Sequence, residues 1–177
     1  MRAKSLYSQK LILCYHARTG FRGGSMTAQV EKPRHERRRS AAFIQKLVAS
    51  RTEMLSLYGQ LAGMKPMADN PEVPPVLEEF CQDVVDYAAN AHFQLFRYFA
   101  ESNERRKEVH DVAQEIYPRI MEITNIILDF NDKYDCGDHC KQLDELEADL
   151  STLGEYLADR IELEDRLITS FGVANRS

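Results

Sequence analysis

Leucine and isoleucine return at positions 143, 146, 150, 153, 157, 161, 167 and 168, a spacing of mostly three or four residues sustained over several helical turns. That is the period of an α-helix with one apolar stripe, and a stripe of this length must be covered by other helices. Three further segments repeat the pattern. Phe43, Ile44, Leu47, Met54, Leu55, Tyr58 and Leu61 mark a helix over about 40–61, closed by Gly63 and barred from continuing by Pro66. Phe80, Val84, Ala88, Ala91 and Leu95 mark a second helix, opening at Pro75, with Glu78 and Glu79 near its positive end, and reaching about Ala100. Asn103 suits the cap of a third, whose stripe Val109, Val112, Ile116, Ile120, Ile123, Ile127 is interrupted at Pro118, so a kink or a break into two short helices is expected there. The last helix is expected over about 140–170. No strand signal competes, and the expected fold is all-α: an antiparallel four-helix bundle with a kinked or broken third helix.

The 177 residues fit one domain, here 40–170, large enough to bury a core without a disulfide or metal. Residues 171–177 are expected to be a flexible C-terminus. Residues 1–39 carry no sustained period; they contain ten Lys or Arg against Glu31 and Glu36, and read as a disordered basic tail. Arg22-Gly23-Gly24 lie one residue before Met26, and a purine-rich ribosome-binding sequence translates to residues of this kind. The first 25 residues therefore read either as a flexible tail or as sequence upstream of a start at Met26. No window approaches 18 uninterrupted apolar residues and no signal-peptide pattern is present, so a soluble, cytoplasmic protein with reduced thiols at Cys14, Cys81, Cys136 and Cys140 is expected.

Charge narrows the partners. The formal total is −5, but from Ser40 onward 13 basic residues face 26 acids, and Asp129 to Asp165 holds 13 acids against Lys133, Lys141 and Arg160. Such a domain repels nucleic acid and attracts cationic proteins, including those that themselves bind DNA.

Catalytic and metal chemistry find little to work with. Di-iron bundles need Glu three residues before His, whereas Ala89, Lys107 and Cys136 precede His92, His110 and His139. Cys136, His139 and Cys140 offer two thiols and an imidazole, but at a spacing that matches no common zinc module. Cys81 and His92 are eleven residues apart on one helix, about 16 Å along its axis, too far to act as a pair. His92, at the edge of the apolar stripe, reads as a packed histidine bonded to a tyrosine or carboxylate across the bundle. No glycine-rich phosphate loop or GxSxG turn is present. A non-enzyme with neither metal nor cofactor is expected.

The polar side of the second helix is more informative. At 100° per residue, Asp83, Asp86, Asn90, Gln94 and Arg97 lie opposite the apolar stripe, with Phe93 in their midst. An aromatic ringed by carboxylates and amides suits the anchor of a protein interface.

Three strings, LYGQLAGMKP at 57–66, FCQDVVDYAANAHFQLF from Phe80 and LGEYLADRIELEDRLI at 153–168, resemble the Rsd/AlgQ family of anti-sigma regulators, in order and across roughly 40–170. The most specific is Phe80-Cys81-Gln82, Val85-Asp86-Tyr87 and His92-Phe93, similar to the family's FCQxLVDYxSxGHF. The chain departs where the family commonly has Asp-Arg-Trp, here Gln45-Lys46-Leu47, and where it has Ser and Gly, here Ala89 and Ala91. The resemblance implies a monomer that binds the primary sigma factor one to one, at the C-terminal domain that reads the −35 promoter element, and sequesters it from core polymerase. Asp83, Asp86, Asn90, Phe93 and Arg97 are the expected contacts, supported by Glu155, Asp159, Glu162 and Asp165 of the last helix. The alternatives are a signalling adaptor bundle for another regulatory protein and, more remotely, a metal or redox sensor on the Cys136–Cys140 loop.

Overall fold

The computed structural model describes residues 32–101, 107–135 and 143–173, with side chains described for 41–42, 44–92, 109–135 and 143–170. Four helices account for almost all of them: α1 Lys32–Gly63, α2 Val73–Glu101, α3 Lys107–Tyr134 and α4 Leu146–Val173, the last preceded by a 3-10 turn at Leu143–Glu145. The chain divides into compact units at Lys46/Leu47, inside α1, and the bundle considered below is that of Leu47 onward. The basic tail up to residue 31, the Asn103 cap and the Cys136–Cys140 loop lie outside the described residues.

The helices begin and end for local reasons. α1 starts at Lys32 rather than Ser40: 32–39 offers no apolar period to read, yet Pro33 suits a first turn and the Arg and Glu residues favour helix. Before α2, the Asn70 side-chain oxygen accepts from the Glu72 N–H and the Asn70 carbonyl from the Val73 N–H. This turn launches the helix two residues before Pro75, and both prolines fall in the first turn, where no intrahelical N–H is needed. α3 runs through Pro118 without a break. Pro118 is exposed, so the carbonyl of Gln114 that loses its partner is open to water.

Cross-helix contacts give the bundle its topology. Arg51 meets Asp165, Tyr58 meets Leu150, and Lys65 pairs with Glu147, so residue numbers fall along α4 as they rise along α1. α2 and α3 run the same way, Phe80 against Phe130 and His92 against Tyr117, as do α3 and α4, where Arg119 meets Asp159 and Lys133 meets Glu145. Consecutive helices are therefore antiparallel, with α1 beside α4 and α3 between α2 and α4.

The core follows the apolar stripes, except that Leu55 of α1 faces solvent and Ile161 of α4 is only half-buried, its neighbour Arg160 taking the inward place. Leu47, Met54 and Leu61 of α1, Leu77, Phe80, Val84 and Ala91 of α2, Ile116, Ile120, Ile123 and Ile127 of α3 and Leu146, Leu150, Leu153 and Leu157 of α4 are buried. Each large aliphatic side chain removed from water stabilises by about 1.5–3 kcal/mol before conformational entropy is charged against it. Phe80 holds the centre of one end, 6.1 Å from the Tyr58 ring and 6.0 Å, edge to face, from Phe130. The Tyr58 ring lies over α4 because Gly154 leaves room: a Cβ there would stand 2.1 Å from the phenol oxygen, which donates to the Leu150 carbonyl at 3.3 Å.

Candidate functional site

α2 places its polar residues outward with the expected phase. Leu77, Phe80, Cys81, Val84, Val85, Tyr87, Ala88, Ala91 and His92 are buried on one arc. Glu79, Gln82, Asp86 and Asn90 are exposed on the other, with Asp83 half-buried at its edge. Asp83, Asp86 and Asn90 stand one turn apart, and among the described residues Asp83 and Asp86 make no ion pair. This arc thus carries uncompensated negative charge into solvent. The α2 backbone passes through residues 93 and 97, but the side chains of Phe93 and Arg97 lie outside the described residues.

The four residues of α4 are used differently. Asp165 binds the Arg51 guanidinium at 2.7 Å and Asp159 binds that of Arg119 at 2.6 Å, so both are already neutralised across helix boundaries. Arg119 also pairs with Glu122 within its own helix. Glu155 and Glu162 are exposed and make no ion pair among the described residues. Glu162 lines an open groove of about 480 Å³ with Asp165, Arg166, Thr169, Ser170 and Val112.

The α2 and α4 sets are not brought together. Inward side chains of α2 and α4 meet through the interior, so the outward arcs of these two helices point away from each other.

Where they meet lies a cluster that the apolar pattern did not announce. Arg160 and Glu164, one turn apart on the inner stripe of α4, are both fully buried and bonded to each other, Nε to Oε1 at 2.9 Å. The other carboxylate oxygen, Oε2, accepts from the Tyr87 hydroxyl of α2 at 2.7 Å and from Arg51 Nη2 of α1 at 3.0 Å. Arg160 Nη1 donates to Thr124 Oγ1 of α3 at 2.8 Å, and Nη2 reaches the Ala88 carbonyl of α2 at 3.4 Å. The Arg160 guanidinium also lies 5.4 Å from the centre of the Tyr87 ring. All four helices are thereby bonded to one buried ion pair. Burial first, then the Glu164 charge, raises the Tyr87 pKa and keeps the phenol a donor. For Arg51, burial works to lower the pKa, but the bonds to Asp165 and Glu164 prevail and raise it. The sequence signal was available: positions 160 and 164 fall three and seven residues after Leu157, on the same helical face, although Ile161 reads as the continuation of the stripe.

Neither reactive side chain on α2 is placed for catalysis. The Cys81 thiol is fully buried and its pKa is pushed up to about 12, chiefly by burial and then by the Asp135 and Glu78 charges. Burial, aided by the Arg160 charge, lowers that of His92 to about 4, so the ring is neutral at pH 7; it packs 6.3 Å from Tyr117. Among the described residues, no three His, Cys, Asp or Glu are gathered to hold a metal ion, and no helix is long and apolar enough to cross a membrane. Such an arrangement can bind by charge and shape.

Comparison with known proteins converges on one family. Residues 26–171 match the family model described as "Regulator of RNA polymerase sigma(70) subunit, Rsd/AlgQ". The chain is similar to proteins named Regulator of sigma D: 31% identical over 136 residues to one from Yersinia pseudotuberculosis, covering 73% of this chain and 79% of the relative. Over 135 residues it is 30% identical to another from Pectobacterium atrosepticum, covering 72% and 86%. No solved structure matches the chain.

Proposed function

Because the chain belongs to the Rsd/AlgQ family of regulators of the RNA polymerase sigma(70) subunit, we propose that it is an anti-sigma protein that binds the primary sigma factor one to one and withholds it from core polymerase. The observation that carries this reading is the outer arc of α2. Its carboxylates Asp83 and Asp86 are unneutralised, whereas Asp159 and Asp165 of α4 are paired within the bundle. A promoter-reading domain presents a basic surface shaped for phosphate, and an acidic helix face is its electrostatic complement. Asp83, Asp86 and Asn90 make the polar contacts, Phe93 supplies the apolar anchor and Arg97 the edge of the interface. Glu155 and Glu162 on the far side of the bundle tune long-range attraction without touching the same domain. The protein acts in the cytoplasm as a monomer, by occupancy rather than catalysis, and does not itself contact DNA.

The test is binding of the purified protein to the C-terminal domain of the primary sigma factor, by gel filtration and titration calorimetry at micromolar concentration and low salt. A 1:1 complex is expected. Asp86→Arg and Phe93→Ala should each weaken it by roughly tenfold or more, as interface hot spots do, while melting temperature stays near that of the parent. Absence of a complex would sink the anti-sigma reading; normal binding by both variants would move the partner surface off α2.

A further inference from the structure

The exposed arc of α2 and the buried cluster are two sides of the same short segment. Asp86 is the immediate neighbour of Tyr87, and Tyr87 and Ala88 are the two α2 residues that the α4 ion pair grips, one by its hydroxyl and the other by its carbonyl. Asp83 and Asn90 lie one turn to either side. Close packing limits the rotation of a helix, but hydrophobic burial itself is not directional and tolerates small rotations better than a hydrogen bond does. A 2.7 Å hydrogen bond to a fully buried carboxylate is directional, and it is made to an oxygen that α1 also addresses through Arg51.

We propose that Arg160 and Glu164 are positioning residues for the α2 recognition face, holding the rotation of α2 through Tyr87 and its depth through the Ala88 carbonyl. This rests on the reading that α2 binds sigma. A rotation of about 20° moves a side chain at a helix's outer radius of roughly 5–6 Å by about 2 Å, enough to break the ion-pair and hydrogen-bond geometry of an interface. A buried ion pair is poor value as a source of stability, since hydrophobic residues of the same volume often do as well, but it specifies one arrangement among several. Here the arrangement specified is that of the segment 83–90.

The inference is tested in the full chain by a double-mutant cycle on binding to the sigma C-terminal domain. Tyr87→Phe keeps the ring and removes the bond to Glu164. It should preserve helicity by circular dichroism, weaken binding, and shrink the cost of Asp86→Asn by about threefold or more, the coupling expected of residues acting through one geometry. Glu155→Gln, on the far side, should show no such coupling. A merely structural role for Tyr87 would lower stability without singling out Asp86. Should Tyr87→Phe lose helicity, the same cycle is run with Arg160→Lys, which keeps the charge beside Glu164 but gives up the grip on Ala88. Additive effects of Asp86→Asn in the folded background overturn the positioning role while leaving the α2 interface standing. If Asp86→Arg and Phe93→Ala both bind normally, the α2 interface itself fails and the positioning role falls with it.

Discussion

His92 is on the buried arc of α2, and its imidazole pKa is lowered from 6.5 to about 4, first by burial and then by the Arg160 charge. The unfolded chain therefore binds a proton at this residue between pH 6.5 and pH 4 that the folded chain refuses. Its contribution to stability is complete above pH 6.5 and is lost as pH falls through that window, by at most on the order of 3 kcal/mol. The carboxylates lose stability in acid as well, so the measurement is a difference. Thermal melts of the parent and His92→Gln from pH 7.5 to 4.5 should show a shallower acid decline for the variant; parallel curves would mean that His92 titrates normally in the fold. Helical phase already marks His92 as a packed histidine at the edge of the buried face, and the packed helices set it 6.3 Å from Tyr117. That Arg160 is the charge opposing its protonation is visible only once α2 and α4 are packed.

Among the elements, α4 departs most from its sequence pattern. Its stripe reads as leucine and isoleucine, and scoring apolar residues alone passes over Arg160 and Glu164, which take two inward positions between Leu157 and Leu167. The charges of a buried pair depend on each other. Arg160→Met leaves the fully buried Glu164 carboxylate with Arg51 and Tyr87 alone, and should cost about 3–5 kcal/mol in urea unfolding. Replacing the whole group, Arg160→Met with Glu164→Met and Tyr87→Phe, should cost less than that single change, because no charge is then stranded. If the triple variant is the less stable, the cluster is a source of net stability and not chiefly a device of geometry. α1 presents a milder case. The residues that bury it, Leu47, Met54 and Leu61, follow directly from sequence spacing, whereas its start at Lys32 was hidden because a basic, wholly polar helical turn looks like a tail.

Over the whole molecule, the described acids divide into spent and unspent charge. Arg51, Lys65, Arg119, Lys133, Arg160 and Arg166 each neutralise a carboxylate across or along the helices, while the outer arc of α2 and, on α4, Glu155 and Glu162 are left unneutralised among the described residues. Attraction to a basic partner surface is screened over about 10 Å at 0.1 M salt, so sigma affinity should fall steadily as salt rises, and less steeply for Asp86→Asn than for the parent. Equal slopes would place the electrostatic contact elsewhere. The sequence by itself determined four helices, most of their inner apolar positions and the outward phase of Asp83, Asp86 and Asn90. A helical period is a local property, written within about seven residues and independent of what the helix later meets. Only the tertiary structure decided that Asp159 and Asp165 are consumed by Arg119 and Arg51, that the α2 and α4 arcs point away from each other, and that Tyr87 is bonded to a carboxylate 77 residues away. Each of these depends on which helices are neighbours and at what height they cross, and that is settled by packing the four stripes together rather than by any one of them.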